Sequence, residues 1–316
     1  MRGWRGVSAD FRLNIANLRF DLGHTLDSGQ AFRWVQKGEW WHGVLPGGPI
    51  KVRQEEAALV CVGGTERLTP QSVHSYFRLD DDLERVYSRI MKDDHMTEAV
   101  QRYYGLRLIQ QDVWECLVSF VLATNTNIPR IRLMISKLCE GFGEKMTFEG
   151  DQYFLFPRPE SLAEASREGL AACGLGYRAR FVKSVAQKVN SGSVDLEELR
   201  LLDYERAREV LIERLLGEKT LLGIGRKAAD CILLFSCRKD SAFPIDVWMA
   251  RVLARYYPNL FGKEVAGRLA SHVSREARLS DSAYEKVSAS MREYFGEYAG
   301  YAQQYLFHDA RKSKLE

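Results

Sequence analysis

Leu222-Gly223-Ile224-Gly225-Arg226-Lys227-Ala228-Ala229-Asp230-Cys231, followed further on by Pro244-Ile245-Asp246, is the stretch on which the reading of this chain turns. Upstream of it, Ala207, Val210, Leu211 and Leu215 recur at helical spacing, so residues 205–216 predict a helix. Gly223-Ile224-Gly225 is too tight a turn to continue that helix, because glycine alone takes positive φ cheaply. A second helix is expected over residues 226–235, with Ala228, Cys231, Ile232 and Phe235 inward. Beyond the polar break Arg238-Lys239-Asp240, Asp246 precedes Val247, Ala250, Leu253 and Ala254, the apolar face of a third helix. Two helices joined by a glycine hairpin offer unpaired backbone N–H groups and a helix dipole, which suit a phosphate. A lone Gly-x-Gly is usually an ordinary turn, and a lone Lys is usually exposed. Lys227 nineteen residues before an Asp at a helix start is far more specific.

The whole chain bounds the answer. Its 316 residues are enough for two or three domains, and the net charge of +3 advertises no basic tail. Any surface for nucleic acid must therefore be a local patch. Cys61, Cys116, Cys139, Cys173, Cys231 and Cys237 form no Cys-x-x-Cys pair and lie in apolar contexts. They read as reduced core residues of an intracellular protein, in the cytoplasm or nucleoid of a prokaryote or the nucleus of a eukaryote. No apolar run approaches membrane-spanning length, Met1-Arg2-Gly3-Trp4 begins no signal peptide, and no membrane partner is expected.

The amino-terminal part reads as strands. Phe11, Leu13 and Ile15 alternate with polar residues, residues 34–45 predict a hairpin around Lys37-Gly38-Glu39, and residues 50–53 and 57–62 predict two further strands. Thr69-Pro70 is a helix start. Another helix is expected from about Asp80, with Leu83, Val86, Tyr87 and Ile90 inward. From Val113 the pattern is helical almost to the end: helices over 113–123, 129–142, 161–171, 177–189 and 297–309, with residues 147–159 as a loop that leaves room for a short extended piece at Tyr153-Phe154-Leu155-Phe156. The fold class is α+β: an antiparallel sheet domain with flanking helices over residues 1–108, packed on a mostly helical domain over 109–316.

Five separated motifs carry a resemblance. Leu222 to Cys231 with Pro244-Ile245-Asp246, Ser28-Gly29-Gln30-Ala31-Phe32-Arg33-Trp34, Asn125 within 116–130, Gly174 to Arg180, and Tyr298 to Gln303 resemble the 8-oxoguanine DNA glycosylases of the helix-hairpin-helix superfamily, with Tyr76 to Asp80 a looser match. The hairpin would lie at about 217–228. The resemblance implies a bifunctional DNA glycosylase that excises 8-oxoguanine opposite cytosine and then cleaves the abasic site by β-elimination. Its partner would be double-stranded DNA carrying that lesion, and the enzyme would act as a monomer. The alternatives are a glycosylase of the same fold for another damaged purine, such as an alkylpurine, and a non-catalytic hairpin DNA-binding protein.

Roles follow by the same resemblance. Lys227 is the attacking amine and Asp246 its carboxylate partner. The first turn of a helix places Lys227 at the positive dipole end, which favours the neutral amine. Gly29 offers a carbonyl to N7–H, a hydrogen that undamaged guanine lacks. Gln303 and Phe307, four apart on one helix face, read the base edge and stack on its ring, and Cys231 covers the other side. Asn125 and Tyr177 fill the vacated duplex, Arg130 and Arg178 meet the orphaned cytosine, and Gly223, Gly225 and Trp248 contact phosphates. Without the resemblance, Phe307 and Cys231 read as core, Asp246 as a helix cap and the arginines as a solvated face. No cofactor is implied beyond a monovalent cation at the hairpin carbonyls. No side-chain set for a metal is offered, and no four-cysteine cluster follows the hairpin for an iron-sulfur centre. The sequence departs from the family pattern at Trp248, where eukaryotic members place a His, and at Thr126 within the Asn run.

Overall fold

Alternation of apolar and polar residues builds a sheet from the amino-terminal part of the chain. Its strands are β1 (Ala9–Asn14), β2 (Val35–Lys37), β3 (Trp40–Leu45), β4 (Gly48–Gln54) and β5 (Ala58–Gly63). They lie in the order β1-β5-β4-β3-β2, every neighbouring pair antiparallel. The structure, a computed structural model, describes residues 9–216, 225–275 and 279–313, with the backbone alone for Leu216 and 272–275. Gly38, at φ +61°, makes the expected turn between β2 and β3. One face of the sheet buries Trp34, Ile50, Val52, Leu59 and Cys61 together with Phe20 and Leu26. The Trp34 indole donates to the Tyr76 hydroxyl at 2.7 Å, which satisfies a polar atom that burial would otherwise penalise.

A second and larger core takes in most of the helices. It includes Leu83, Val86, Tyr87 and Ile90 from the helix Leu83–Ile90, Met96 and Ala99 from the next, and the apolar faces from Val113 onward. The helices Leu83–Ile90 and Asp94–Arg102 thus pack into the helical core, whereas Leu22–Asp27 and Pro70–Tyr76 pack under the sheet through Leu22, Leu26, Val73 and Tyr76. The helix expected from Asp80 starts instead at Leu83, because Asp82 accepts from the Arg85 N–H as its cap. Arg78, at φ +50°, turns the chain before it and spends its guanidinium on both oxygens of Asp240, at 2.8 and 2.5 Å. That buried fork ties the amino-terminal part to the helical part.

Three other elements differ from expectation. Residues 147–159 are not a plain loop: β6 (Lys145–Phe148) and β7 (Asp151–Phe154) pair as a hairpin, with Glu149 and Gly150 at positive φ. It leans on the sheet through Lys37 to Asp151 at 2.9 Å and His42 to Tyr153 at 3.1 Å. The helix expected over 161–171 is two, Pro159–Glu164 and Arg167–Ala172, because Ser166 caps the second by accepting from the Gly169 N–H. The helix at 204 runs regularly only to Val210 and widens into a π-type turn over Leu211–Leu216. The helices Val113–Leu122, Ile128–Phe142, Arg226–Ser236, Val247–Tyr256 and Ala299–Lys312 fall where periodicity predicts, and Asp94–Arg102, Lys263–Arg275 and Asp281–Phe295 add helices for which no bounds were expected. No described helix is long and apolar enough to cross a membrane.

Candidate active site

Lys227 stands in the first turn of the helix Arg226–Ser236, whose Ala228, Ala229 and Ile232 are buried. Its Nζ lies over the Phe120 ring, 5.1 Å from the centroid. Phe120 in turn stacks on Phe235 and meets Phe32 edge-on, so an aromatic wall backs the amine. Asp246 is the cap the sequence predicts: Oδ1 accepts from the Met249 N–H at 2.9 Å at the start of Val247–Tyr256. Lys227 and Asp246 line one cleft of about 640 Å³ between the two parts of the molecule. Asp230, three residues past Lys227, is not its partner. It is fully buried and accepts from Tyr204 at 2.8 Å, Arg208 at 2.6 Å and Tyr284 at 2.7 Å.

The electrostatics correct one expectation. Burial works against the Lys227 ammonium, but the Cys231 sulfur one turn on and the Asp246 carboxylate more than offset it, so the amine titrates above its ordinary value. The π face of Phe120 also favours the cation. Burial raises the Asp246 carboxyl above the usual range, although Lys227 and the N–H groups of Met249 and Trp248 pull the other way. Burial pushes the Cys231 thiol up to about 11. Among the described residues no group of three or more His, Cys, Asp or Glu side chains could hold a metal.

The proposed base contacts come together in the same cleft. Gly29 takes φ +85°, which favours glycine, and a Cβ there would meet Arg311 Nη1 at 2.6 Å and Phe307 Cε1 at 3.3 Å. Its neighbours are clamped. The Ser28 carbonyl accepts from Gln304 at 3.0 Å, and Gln30 binds the backbone of Arg107 and Ile109 at 2.8 and 2.9 Å. Gln303 is 4% exposed, and its Oε1 accepts nothing from the described residues. Phe307 is half-buried beside it, and Cys231 lines the opposite wall. The periodicity reading missed Arg311, Gln304, Phe120 and Tyr284, all of which line this cleft. Only the basic last turn containing Arg311 offered a signal, and such turns ordinarily complement the helix dipole.

The expected duplex contacts divide. Asn125 is exposed at φ +47°, a conformation Asn tolerates better than most residues. Tyr177 is 43% exposed and Arg130 is exposed in the first turn of Ile128–Phe142. Arg178 is different: it is 5% exposed, and its guanidinium donates to the Thr124 carbonyl and, at 3.1 Å, to that of Asn125. It holds the Asn125 turn and presents little surface of its own. Trp248 is half-buried under the Arg251 guanidinium, 5.3 Å from its ring centroid. Gly225 precedes the Lys227 helix, whereas Gly223 and the rest of the hairpin, with its carbonyls as cation ligands, lie outside the described residues.

Residues 12–117 match the family model of the 8-oxoguanine DNA glycosylase amino-terminal domain, and residues 118–264 that of the HhH-GPD superfamily base excision DNA repair proteins. A probable N-glycosylase/DNA lyase of Methanothermobacter thermautotrophicus is 30% identical, over 94% of this chain and 95% of that protein. The N-glycosylase/DNA lyase of Saccharomyces cerevisiae is 28% identical over 94% of this chain and 85% of its own length. The solved Clostridium acetobutylicum 8-oxoguanine glycosylase/lyase, in complex with double-stranded DNA containing cytosine opposite 8-oxoguanine, is similar at a TM-score of 0.80. Its identity is 28% and 93% of each chain is covered. With both halves matched in order and a relative aligned along nearly its whole length, the chain belongs to the 8-oxoguanine DNA glycosylase family of N-glycosylase/DNA lyases.

Proposed function

We propose that this protein excises 8-oxoguanine paired with cytosine from duplex DNA and then cleaves the abasic strand, as a monomer acting inside the cell. One observation carries the reading: an amine, a carboxylate, a positive-φ glycine, a buried amide oxygen without a partner among the described residues and a half-buried ring line a single cleft. The chain divides near residue 108, with the flipped base held between the two parts. Lys227 Nζ, once deprotonated, attacks C1′ and displaces the base at N9, which leaves with a proton. The sugar ring opens to a Schiff base on Lys227, and loss of a C2′ proton expels the 3′ phosphate. Asp246 supplies negative charge beside the developing oxocarbenium character.

Recognition is assigned in the same terms. The Gly29 carbonyl accepts N7–H of the lesion, Gln303 meets its Watson–Crick edge, and Phe307 and Cys231 hold the two faces of the ring. Asn125 and Tyr177 occupy the gap in the duplex, and Arg130 meets the orphaned cytosine. Gly225, Gly223 and Trp248 contact the backbone, with a monovalent cation at the hairpin. The test is a single-turnover assay on a duplex with one 8-oxoguanine opposite cytosine, reading free base and strand scission separately. Release of the base followed by a β-elimination product is expected. An intact 8-oxoguanine duplex, with release of the base from a parallel duplex carrying an alkylated purine, would overturn the substrate assignment.

A further inference from the structure

Arg311 sits in the last turn of the helix Ala299–Lys312, where cations usually face the partial negative charge of the helix end. Its guanidinium instead turns into the cleft that Lys227 and Asp246 line. Nη1 would stand 2.6 Å from a Cβ at Gly29, so it rests against the backbone of that glycine. The guanidinium also lies over the Phe307 ring, 5.5 Å from its centroid. Among the described residues its hydrogen bonding is limited to one long contact, Nη1 to the Asp27 carbonyl at 3.3 Å. A half-buried arginine so lightly engaged has donors left to offer.

Gln303, Phe307 and Arg311 follow one another at i, i+4 spacing, so they run along one face of that helix in that order. On the 8-oxoguanine reading above, Gln303 meets the Watson–Crick edge, Phe307 stacks on the ring and Gly29 accepts N7–H. C8 of a purine lies on the five-membered ring, away from the Watson–Crick edge and next to N7. The order along the helix and the contact with Gly29 both bring Arg311 to that end of the base. We propose that the Arg311 guanidinium donates a hydrogen bond to the C8 carbonyl oxygen of the lesion. The protein then reads the added oxygen as well as the added hydrogen. Undamaged guanine offers a C–H at C8, which leaves the guanidinium unmatched in a site that has lost its water.

The test separates O8 recognition from N7–H recognition. 8-Thioguanine keeps N7–H but replaces the C8 oxygen with sulfur, a weak acceptor. Single-turnover excision is measured for 8-oxoguanine and 8-thioguanine opposite cytosine, with the wild type and Arg311→Met, a change that keeps length and removes every donor. Wild type should favour the oxo base. Arg311→Met should lose about tenfold on it and change little on the thio base, so the preference collapses. Unchanged 8-oxoguanine excision, or equal losses on both bases, overturns the proposal; equal losses would mark Arg311 as a charge partner of Asp246. If Arg311→Met melts below the assay temperature, Arg311→Leu, which also carries no donor, takes the same comparison with the same two outcomes. A wild type that excises neither base overturns the functional reading itself, and the inference with it. A wild type active on 8-oxoguanine whose Arg311 variants are equally active overturns the inference alone.

Discussion

The Tyr284 hydroxyl donates to Asp230 Oδ2 at 2.7 Å, three residues past Lys227 on the same helix, and accepts from the Ile245 N–H at 3.2 Å, next to Asp246. One buried oxygen therefore sets the distance between the element that carries the amine and the element that carries the carboxylate.

Tyr284→Phe keeps the ring and removes that bridge. Asp230 retains Tyr204 and Arg208, so the fold should survive at a cost of about 1–3 kcal/mol. The rate of base release per folded molecule should fall roughly tenfold, while lesion-duplex affinity stays within about twofold, because misplacement acts on the chemical step. The acid limb of the rate profile should shift as well, since Asp246 would feel Lys227 differently. Tyr284 is then a positioning residue. A variant with lower melting temperature but unchanged rate and pH profile would leave it a purely structural one.

The pH dependence of base release follows from the two titrations. Lys227 is held above its ordinary 10.5, and only its neutral form attacks, so the single-turnover rate should climb steadily from pH 7 to pH 9. Asp246 is held above its ordinary 3.8, so its protonation should remove activity at a higher pH than an exposed carboxylate would. Stopped reactions over pH 7 to 9 check the amine limb, and the same assay carried into the acid range checks the carboxylate limb. A rate independent of pH from 7 to 9 would place the amine's titration below neutrality.

Arg178 and Arg130 should separate cleanly. Arg178→Ala removes the donors that hold the Thr124–Asn125 turn and leaves the Thr124 carbonyl only the long contact from the Tyr177 hydroxyl at 3.4 Å, at a cost of about 1–3 kcal/mol of stability. Arg130→Ala, at an exposed position, should leave melting within about 0.5 kcal/mol and weaken duplex binding instead. Melting and affinity measured on both variants decide the matter, and a stable Arg178→Ala with selectively weaker binding would mark it as a DNA contact.

His308 should make the fold acid-sensitive. The ring is fully buried beside Tyr103 and His24, and neither nitrogen has a partner among the described residues. Burial, with Arg311, His24 and Lys312 nearby and Asp27 opposing them, lowers its pKa from 6.5 to about 4. A folded value below the unfolded one means that stability is intact above pH 6.5 and lost as pH falls toward 4. At pH 4.5 the loss is about 2–3 kcal/mol. Denaturant unfolding at pH 7.5 and 4.5 should show a smaller drop for His308→Leu than for wild type. Equal drops would show that the carboxylates dominate.

How far the sequence reached depends on whether a feature is local. Strand alternation at Phe11 and Leu13, the Asp246 cap and the Gly38 turn are set by residues within a turn of one another, and all were legible. The break at Ser166 was less so, because a capping hydroxyl and a mid-helix serine look alike until the backbone is placed. The hairpin of β6 and β7 escaped because it is stabilised by contacts to a sheet about a hundred residues away, such as Lys37 to Asp151. In the cleft, Lys227, Asp246, Gly29, Gln303 and Phe307 came from motifs. Arg311, Tyr284 and Phe120 did not, since their importance lies in which distant residues they meet. Arg178 shows the converse: it sits in a motif, yet its burial is fixed by the Thr124 turn and was invisible along the chain.

The central claim is that Lys227 is the nucleophile. Borohydride reduction during turnover of an 8-oxoguanine duplex, followed by proteolysis and mass spectrometry of the trapped adduct, tests it most directly. The account predicts a single adduct on the peptide that contains Lys227, and none from Lys227→Gln, which should still bind the lesion duplex. A reducible adduct that persists in Lys227→Gln, or maps to another amine, would contradict it.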